Sequence, residues 1–365
     1  MDRIRNILIF LFNDIIPIPF FGDWIQTVSL QQIRNYQRRQ RQVWLCVLLF
    51  CLLISTVISL SCGSYHIELS DWLSGLSDIQ QQVVWQLRLP RTLLAIAVGG
   101  GLALCGAVLQ ILLHNPVAEP GLIGISSGAS FLAVLLIFLS HHAGITIPAW
   151  GVSVSAFLGA LVVTLLLIRL ARRGQMGGGR LLLLGVAIGI ATNALTTWLL
   201  YFSDDQALRE IMFWMMGSLA YGQIHPSYWW LPFLLVCGWL LCQHRKLALL
   251  QLGAFQAQLM GLDLRQTQRK LVWAVCFISG MCVALAGVIG FIGLVVPHLL
   301  RLIGRDGPAF NLPASMLAGS LLLLVADILS RTVVSSGELP VGVVTATIGA
   351  PVFMWLLVRR HAIAD

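Results

Sequence analysis

Residues 84–128 read VWQLRLPRTLLAIAVGGGLALCGAVLQILLHNPVAEPGLIGISSG. Arg88 and Arg91 stand three apart at the head of a stretch, 92–113, without charge. That stretch is long enough to cross a bilayer, which takes about 20 apolar residues. Its interior holds Gly99, Gly100, Gly101, Ala103 and Gly106, small residues that let helices approach closely inside a membrane. A Pro/Gly break follows, from Asn115-Pro116 to Pro120-Gly121, and the chain then turns apolar again. Two arginines at one end, a span built for close packing and a break at the other predict a packed bundle around a path. A lone membrane anchor needs none of these.

The composition agrees. Of the 365 residues 58% are hydrophobic and only 10% charged, and the mean hydropathy is +0.86. Soluble domains are usually about 25% charged. The expected fold is therefore an all-α polytopic membrane protein of about ten transmembrane helices. Spans and short connections use most of the chain, leaving no room for a separate catalytic domain of on the order of 100 residues. The eight cysteines lie in or beside apolar runs with no C-x-x-C pair. They read as small buried hydrophobes, not as a disulfide framework or a metal site.

In chain order, residues 7–21 are apolar but broken by Asn13, Asp14, Pro17 and Pro19. They fit either a signal peptide, with Arg3 and Arg5 as its basic start, or an interfacial segment. Residues 1–42 are expected to be a cytoplasmic extension whose basic cluster Arg34, Arg38, Arg39, Arg41 precedes the first span, 43–62. Further spans are expected at 92–113, 123–140, 147–168, 181–202 and 227–244. A seventh starts near Lys270 and returns tightly into a short eighth near 297–304. The ninth and tenth fall at 309–330 and 341–358, closing a transmembrane domain of 43–360 ahead of a tail, 361–365. An amphipathic segment, 208–219, follows Asp204 and Asp205. No Asp, Glu, Lys or Arg occurs in residues 120–168, which supplies the third and fourth spans.

The net charge of +8 raises nucleic-acid or membrane-surface binding, but the placement of the basic residues assigns it to topology. With both termini cytoplasmic, all of the 23 Lys and Arg except Arg88, Arg91, Arg209 and Arg331 fall on the cytoplasmic side, as the positive-inside bias requires. There is also a weak internal echo. GLALCGAVLQ (101–110) resembles GMCVALAGVIGF (280–291), and each runs into a Gly/Pro-broken return. The two spans enter from opposite sides, so the halves form an inverted repeat, a recurrent transporter plan.

No G-x-x-x-x-G-K-[ST] occurs, and neither Lys246 nor Lys270 follows a Gly-rich loop. The chain cannot cradle ATP phosphates that way. Active transport then needs a partner ATPase, or else intramembrane ionisable groups in a secondary transporter. Candidates for the latter are Asp327, Glu338 and His298, although Asp327 also stands four residues before Arg331, an i,i+4 pair. The polar loop 245–270 is much longer than the median connection of about 4–6 residues. Within it AFQAQLMGL reads as a short helix ended by Gly261, a shape that a soluble partner can hold in a groove.

WQLRLPRTLL, LHNPVAEPGLIGISSG, RLLLLGVAIGI, FWMMGSL, GFIGLVVPHLLRLIG and ELPVGVVTATIGAPVF resemble the permease subunits of type II ATP-binding cassette importers for iron-siderophores, haem and vitamin B12. The likeness runs from about residue 30 to 360, and YFSDDQALREIMFWMMG and LPVGVVTATIGAPVFMWLL are most similar to the vitamin B12 (cobalamin) group. It implies a homodimer in a bacterial inner membrane, with two ATPase subunits below and a periplasmic cobalamin-binding protein above. ATP is used by the ATPase partner; this chain is expected to be no enzyme, with no catalytic residue, cofactor or metal of its own. The resemblance further implies that Arg88, Arg91 and Arg331 receive acidic side chains of the binding protein. Coupling to the ATPase maps onto Leu252, Gly253, Ala257, Leu259 and Gly261, with Ala254 where relatives often carry an acid. The path is lined by the fifth and tenth spans. The cytoplasmic gate falls at Gly178, Gly179 and Arg180, where Gly177-Gly178-Gly179 replaces hydroxyl-bearing residues. An iron-siderophore or haem permease of the same fold is the near alternative, and an ion-coupled secondary transporter the distant one.

Overall fold

The computed structural model describes residues 30–63, 67, 75, 77–172, 178–220, 230–303, 307–334 and 337–361. The expectations for residues 1–29, Gly177 and the tail from 362 lie outside them. Among the described residues every regular element is helical. By internal contacts the chain separates into Met1–Cys46 and Val47–Asp365. The first holds the opening turns of α1 (Leu30–Ser61), a helix of 32 residues, and the second holds all the rest. Arg34, Arg38, Arg39 and Arg41 therefore lie on α1 instead of ahead of it.

α2 (Asp78–Leu112) is the centre of the larger unit: 83% of its apolar stretch is buried. It begins well before the expected residue 92 because Ser77 and Gln80 form a reciprocal cap. The Gln80 N–H donates to Ser77 Oγ and the Ser77 N–H to Gln80 Oε1, at 3.4 and 2.9 Å; two orphan donors of the first turn are thus satisfied. Residues Val83–Arg88 form a π turn directly ahead of Pro90, whose missing N–H interrupts the regular ladder.

The small residues of α2 do what their spacing predicts. A Cβ at Gly99 would strike the backbone of Gly319, and one at Gly106 the backbone of Gly293. Gly319 belongs to α12 (Pro308–Thr332) and Gly293 to α11 (Ile292–Ile303). Gly101 faces Cys282 and Ile278 of α10 (Leu264–Ala286). With no apolar-to-water gain available between helices in lipid, backbone-to-backbone approach of this kind is a main source of cohesion. The two echoing segments, 101–110 and 280–291, thus meet in one core. α10 ends at Gly287, whose φ of +71° turns the chain back toward α11.

Around this centre pack α3 (Ile125–Ala143) and α4 (Ala149–Arg172), with α5 (Gly178–Tyr201) at the periphery, only 17% of its apolar stretch being buried. α6 (Asp205–Met215) is short and amphipathic: it buries Ala207 and Ile211 and exposes Met212 and Phe213. α7 (Trp230–Cys242) and α8 (His244–Gln251) follow one another across a bend of 49°. α9 (Ala254–Leu259) and α13 (Val341–His361) complete the order.

Each of the ten expected spans has a helix, with two corrections. Among the described residues seven helices are long and apolar enough to cross a membrane, up to eight if the bent pair is one span, while α11 and the apolar part of α13, Val341–Leu356, are shorter. α11 starts at Ile292, earlier than the expected 297, yet its 12 residues reach only about 18 Å at 1.5 Å per residue, short of a ~30 Å core. α10 starts at Leu264, so the last part of the expected loop 245–270 is helix. The cysteine expectation holds for Cys105, Cys237, Cys276 and Cys282, which are buried; Cys46 and Cys242 are exposed.

Candidate functional site

The three arginines singled out in the sequence come together at one end of the bundle, and all three are buried. Arg91 Nε donates to Asp327 Oδ1 at 2.8 Å and Arg91 Nη1 to Glu338 Oε2 at 2.6 Å. Arg331 Nε lies 3.1 Å from the other carboxylate oxygen, Oδ2. That contact is ionic without hydrogen-bond alignment, since Oδ2 accepts no hydrogen bond. The expected i,i+4 pair is present, and Arg91, from a helix 236 positions away, completes it. A fully buried carboxylate needs such partners, because an unpaired charge in the interior is costly.

Arg88 and Arg331 also serve the C-terminal end of α1. Arg88 Nη1 donates to the carbonyls of Leu60 and Ser61 at 2.7 and 2.8 Å. Arg331 Nη2 donates to Ser59 Oγ at 2.8 Å, and Ser59 Oγ lies 2.8 Å from the Thr92 hydroxyl. The last carbonyls of a helix have no partner within it and carry the negative end of its dipole. Two guanidinium groups there fasten α1 to α2 and α12.

The opposite end of α2 is about 32 Å away, at 1.5 Å per residue from Arg91. There His114, with a φ of +48°, sets its Nε2 3.0 Å from the Leu250 carbonyl at the end of α8. α9 follows, bracketed by Gly253 and Gly261 at φ of +104° and +84°, positions that glycine occupies without strain. Gly261 ends the helix where the sequence puts it. Ala257 is buried, whereas Leu252, Phe255, Leu259 and Met260 are all more than half exposed. Four large apolar side chains on a polar connection form a patch suited to a protein partner. Phe255 and Met260 were missed in the sequence; the i, i+4 spacing of Phe255 and Leu259, which share one face of a short helix, was the signal available for Phe255.

Gly178 opens α5, with Gly179 and Arg180 exposed beside it. A Cβ at Gly179 would meet nothing within 4 Å, so contacts within the chain do not require glycine there. Further along, α5 exposes Asn193 and Thr197, and α13 exposes Thr347. Thr197 Oγ1 donates to the Asn193 carbonyl and Thr347 Oγ1 to that of Val343, at 2.9 and 2.8 Å. These hydroxyls are satisfied by their own helices, which leaves weakly polar, mostly apolar faces.

His298 is buried, its ring edge-on to Phe353 of α13 with centroids 6.1 Å apart. Two polar features had no sequence signal. Gln110 crosses from α2 to donate to the carbonyls of Gly293 and Leu294 and accepts from Arg301. Glu119, in the break after α2, accepts a hydrogen bond from the backbone N–H of Phe291, just ahead of α11; burial pushes its carboxyl above the usual carboxylate range, and that bond opposes the rise. Among the described residues no group of His, Cys, Asp and Glu side chains could hold a metal ion.

Comparison with known proteins places this geometry. The model of the FecCD transport family matches residues 51–359. The chain is 45% identical over 323 residues to the vitamin B12 import system permease protein BtuC of Salmonella typhi, covering 88% of this chain and 97% of that one. It is 45% identical over 329 residues to the protein of the same name from Shigella boydii, covering 90% and 99%. A solved structure of a metal-chelate type ABC transporter, in an inward-facing conformation, superposes with a TM-score of 0.77 at 33% identity, covering 86% of this chain and 98% of that one. By sequence over most of its length and by fold, the chain belongs to the FecCD transport family.

Proposed function

We propose that the chain is the permease subunit of an ATP-binding cassette importer and forms, with a second copy of itself, the path of vitamin B12 across a bacterial inner membrane. The observation that carries this reading is the end-to-end 45% identity to vitamin B12 import permeases, covering 97% of the relative's length. The geometry supports it with two recognition surfaces at opposite ends of α2, about 32 Å of helix apart: an arginine cluster at one end and, past the other, the apolar patch of α9.

In this reading both termini are cytoplasmic, residues 245–270 form the coupling segment, and the Arg88 end faces the periplasm. Arg88, Arg91 and Arg331 receive carboxylates of a cobalamin-binding protein through charge-assisted bonds. Leu252, Phe255, Leu259 and Met260 seat in a groove of the ATPase subunit, while Gly253 and Gly261 set the turns and Ala257 holds α9 to the bundle. The peripheral α5 and α13 face the partner copy and line the path, and their self-satisfied hydroxyls offer a large amphipathic solute only weak contact. A conduit must release what it binds. Gly178, Gly179 and Arg180 stand at its cytoplasmic mouth. Closure of the ATPase dimer moves the α9 pair as rigid bodies and exchanges outward-open for inward-open states. No covalent step takes place on this chain.

Two features speak against an ion-coupled carrier working alone. Asp327 is held by Arg91 and Arg331, and Glu338 by Arg91, the part of structural counter-ions. The metal-chelate neighbour keeps an iron-chelate cargo as the second reading. A strain lacking its own vitamin B12 and iron-siderophore permeases, supplied with this chain, its ATPase and its binding protein, distinguishes them. Growth on limiting cobalamin is expected. Growth rescue on an iron-siderophore instead, with the chain detected in the membrane, contradicts the cobalamin assignment.

A further inference from the structure

Arg91 has two acidic partners of opposite character. Asp327 is fully buried on α12, whereas the Glu338 side chain is 48% exposed beside an Arg91 side chain that is 10% exposed. Removing Asp327 from Arg91 would strand a carboxylate away from water. Removing Glu338 would return it to water, which costs little. Its backbone surroundings also permit the exchange: the N–H of the next residue, Leu339, donates to the Ser330 carbonyl at 3.1 Å. The linker to α13 is thus tied to α12 independently of the Glu338 carboxylate, which can swing off Arg91 while the main chain stays in place.

Resting on the docking role assigned above to the arginines, we propose that Glu338 occupies on Arg91 the position that a carboxylate of the binding protein takes. Docking is then an exchange of one carboxylate for another on the same guanidinium. Arg91 is kept oriented and paired while the importer is undocked, as a buried cation requires. The partner must displace an internal competitor, so Glu338 weakens docking and hastens release of the binding protein.

The test uses the full permease–ATPase complex in lipid nanodiscs and the cobalamin-binding protein of the same cell, with affinity read by biolayer interferometry. An exposed ion pair contributes up to about 1 kcal/mol, so Glu338→Gln and Glu338→Ala are each expected to bind about fivefold tighter than the parent chain. The gain should shrink as salt is raised, because the parent's internal pair is screened too. Equal or weaker binding by both variants, with the parent complex binding normally, overturns the exchange and leaves the docking role standing. Failure of the folded parent complex to bind at all removes the docking role, and the exchange with it.

Discussion

Arg91 of α2 and Asp327 of α12 are joined by a 2.8 Å charge-assisted hydrogen bond across 236 positions of sequence. The bond closes a cluster in which Asp327 is shared with Arg331, and Arg331 in turn grips the end of α1 through Ser59. One buried carboxylate therefore fixes where three helices meet. Asp327→Asn takes the acidic partner from Arg331 and leaves Arg91 with Glu338 alone, a loss of roughly 3–5 kcal/mol for a broken buried pair. A lower thermal midpoint in detergent, and less folded chain recovered from membranes, are the expected results. The double variant Arg91→Met/Asp327→Leu should recover part of the loss, since an apolar pair of similar volume can replace a buried ion pair.

Gly106 tests the packing of the core. Its α-hydrogen faces the backbone of Gly293, which cannot rotate away as a side chain can. Gly106→Ala must push α11 from α2, at a cost of about 1–3 kcal/mol for overpacking. Gly179→Ala, with open space around it, should leave stability unchanged. Size-exclusion recovery after a heat step compares the two, and equal tolerance of both would contradict the packing described.

α9 separates a docking role from a folding role by burial. Phe255 and Leu259 are 68% and 72% exposed, and Ala257 is 0% exposed. Phe255→Asp and Leu259→Asp are expected to change stability by no more than about 0.5 kcal/mol, as for other surface changes, leaving the thermal midpoint nearly unmoved, yet to abolish co-purification of the ATPase. Ala257→Asp should lower the midpoint as well, because it buries a charge.

Glu119 gives a pH dependence. Burial raises its carboxyl above the ordinary range, against the bond from Phe291. Between the ordinary and the raised value the folded chain holds more protons than the unfolded one, so this group's contribution to stability falls as pH rises through the raised value. Glu119→Gln keeps an acceptor for the Phe291 N–H and has no charge to bury. Its thermal midpoint is expected to exceed the parent's at pH 8 by roughly 2 °C and to match it near pH 4. An unchanged difference across that range would rule out the carboxyl as its source.

The bundle was legible because lipid imposes a simple code: charge-free runs, small residues at contacts and basic loops on one side mark the spans in one dimension. The boundaries were less so. Residue 92 looks like the start of a span by hydropathy, but the Ser77 cap and the π turn carry α2 back to Asp78. α11 was visible as apolar sequence, yet its length and early start depend on the return at Gly287, a tertiary feature. At the arginine cluster the local i,i+4 pair of Asp327 and Arg331 could be read directly. The Arg91 contacts could not, because no periodicity reports a bond between α2 and α12. On α9 the alternation of buried Ala257 with exposed Phe255 and Leu259 needed the neighbouring helices to decide which face is covered.

The most direct test of a conduit driven from outside itself is radiolabelled cobalamin uptake into vesicles holding the chain, with and without its ATPase and with ATP on the ATPase side. The expected result is accumulation of cobalamin only when ATPase, ATP and binding protein are all supplied, and none from the chain alone under a proton or sodium gradient. Accumulation by the chain alone under such a gradient would contradict it.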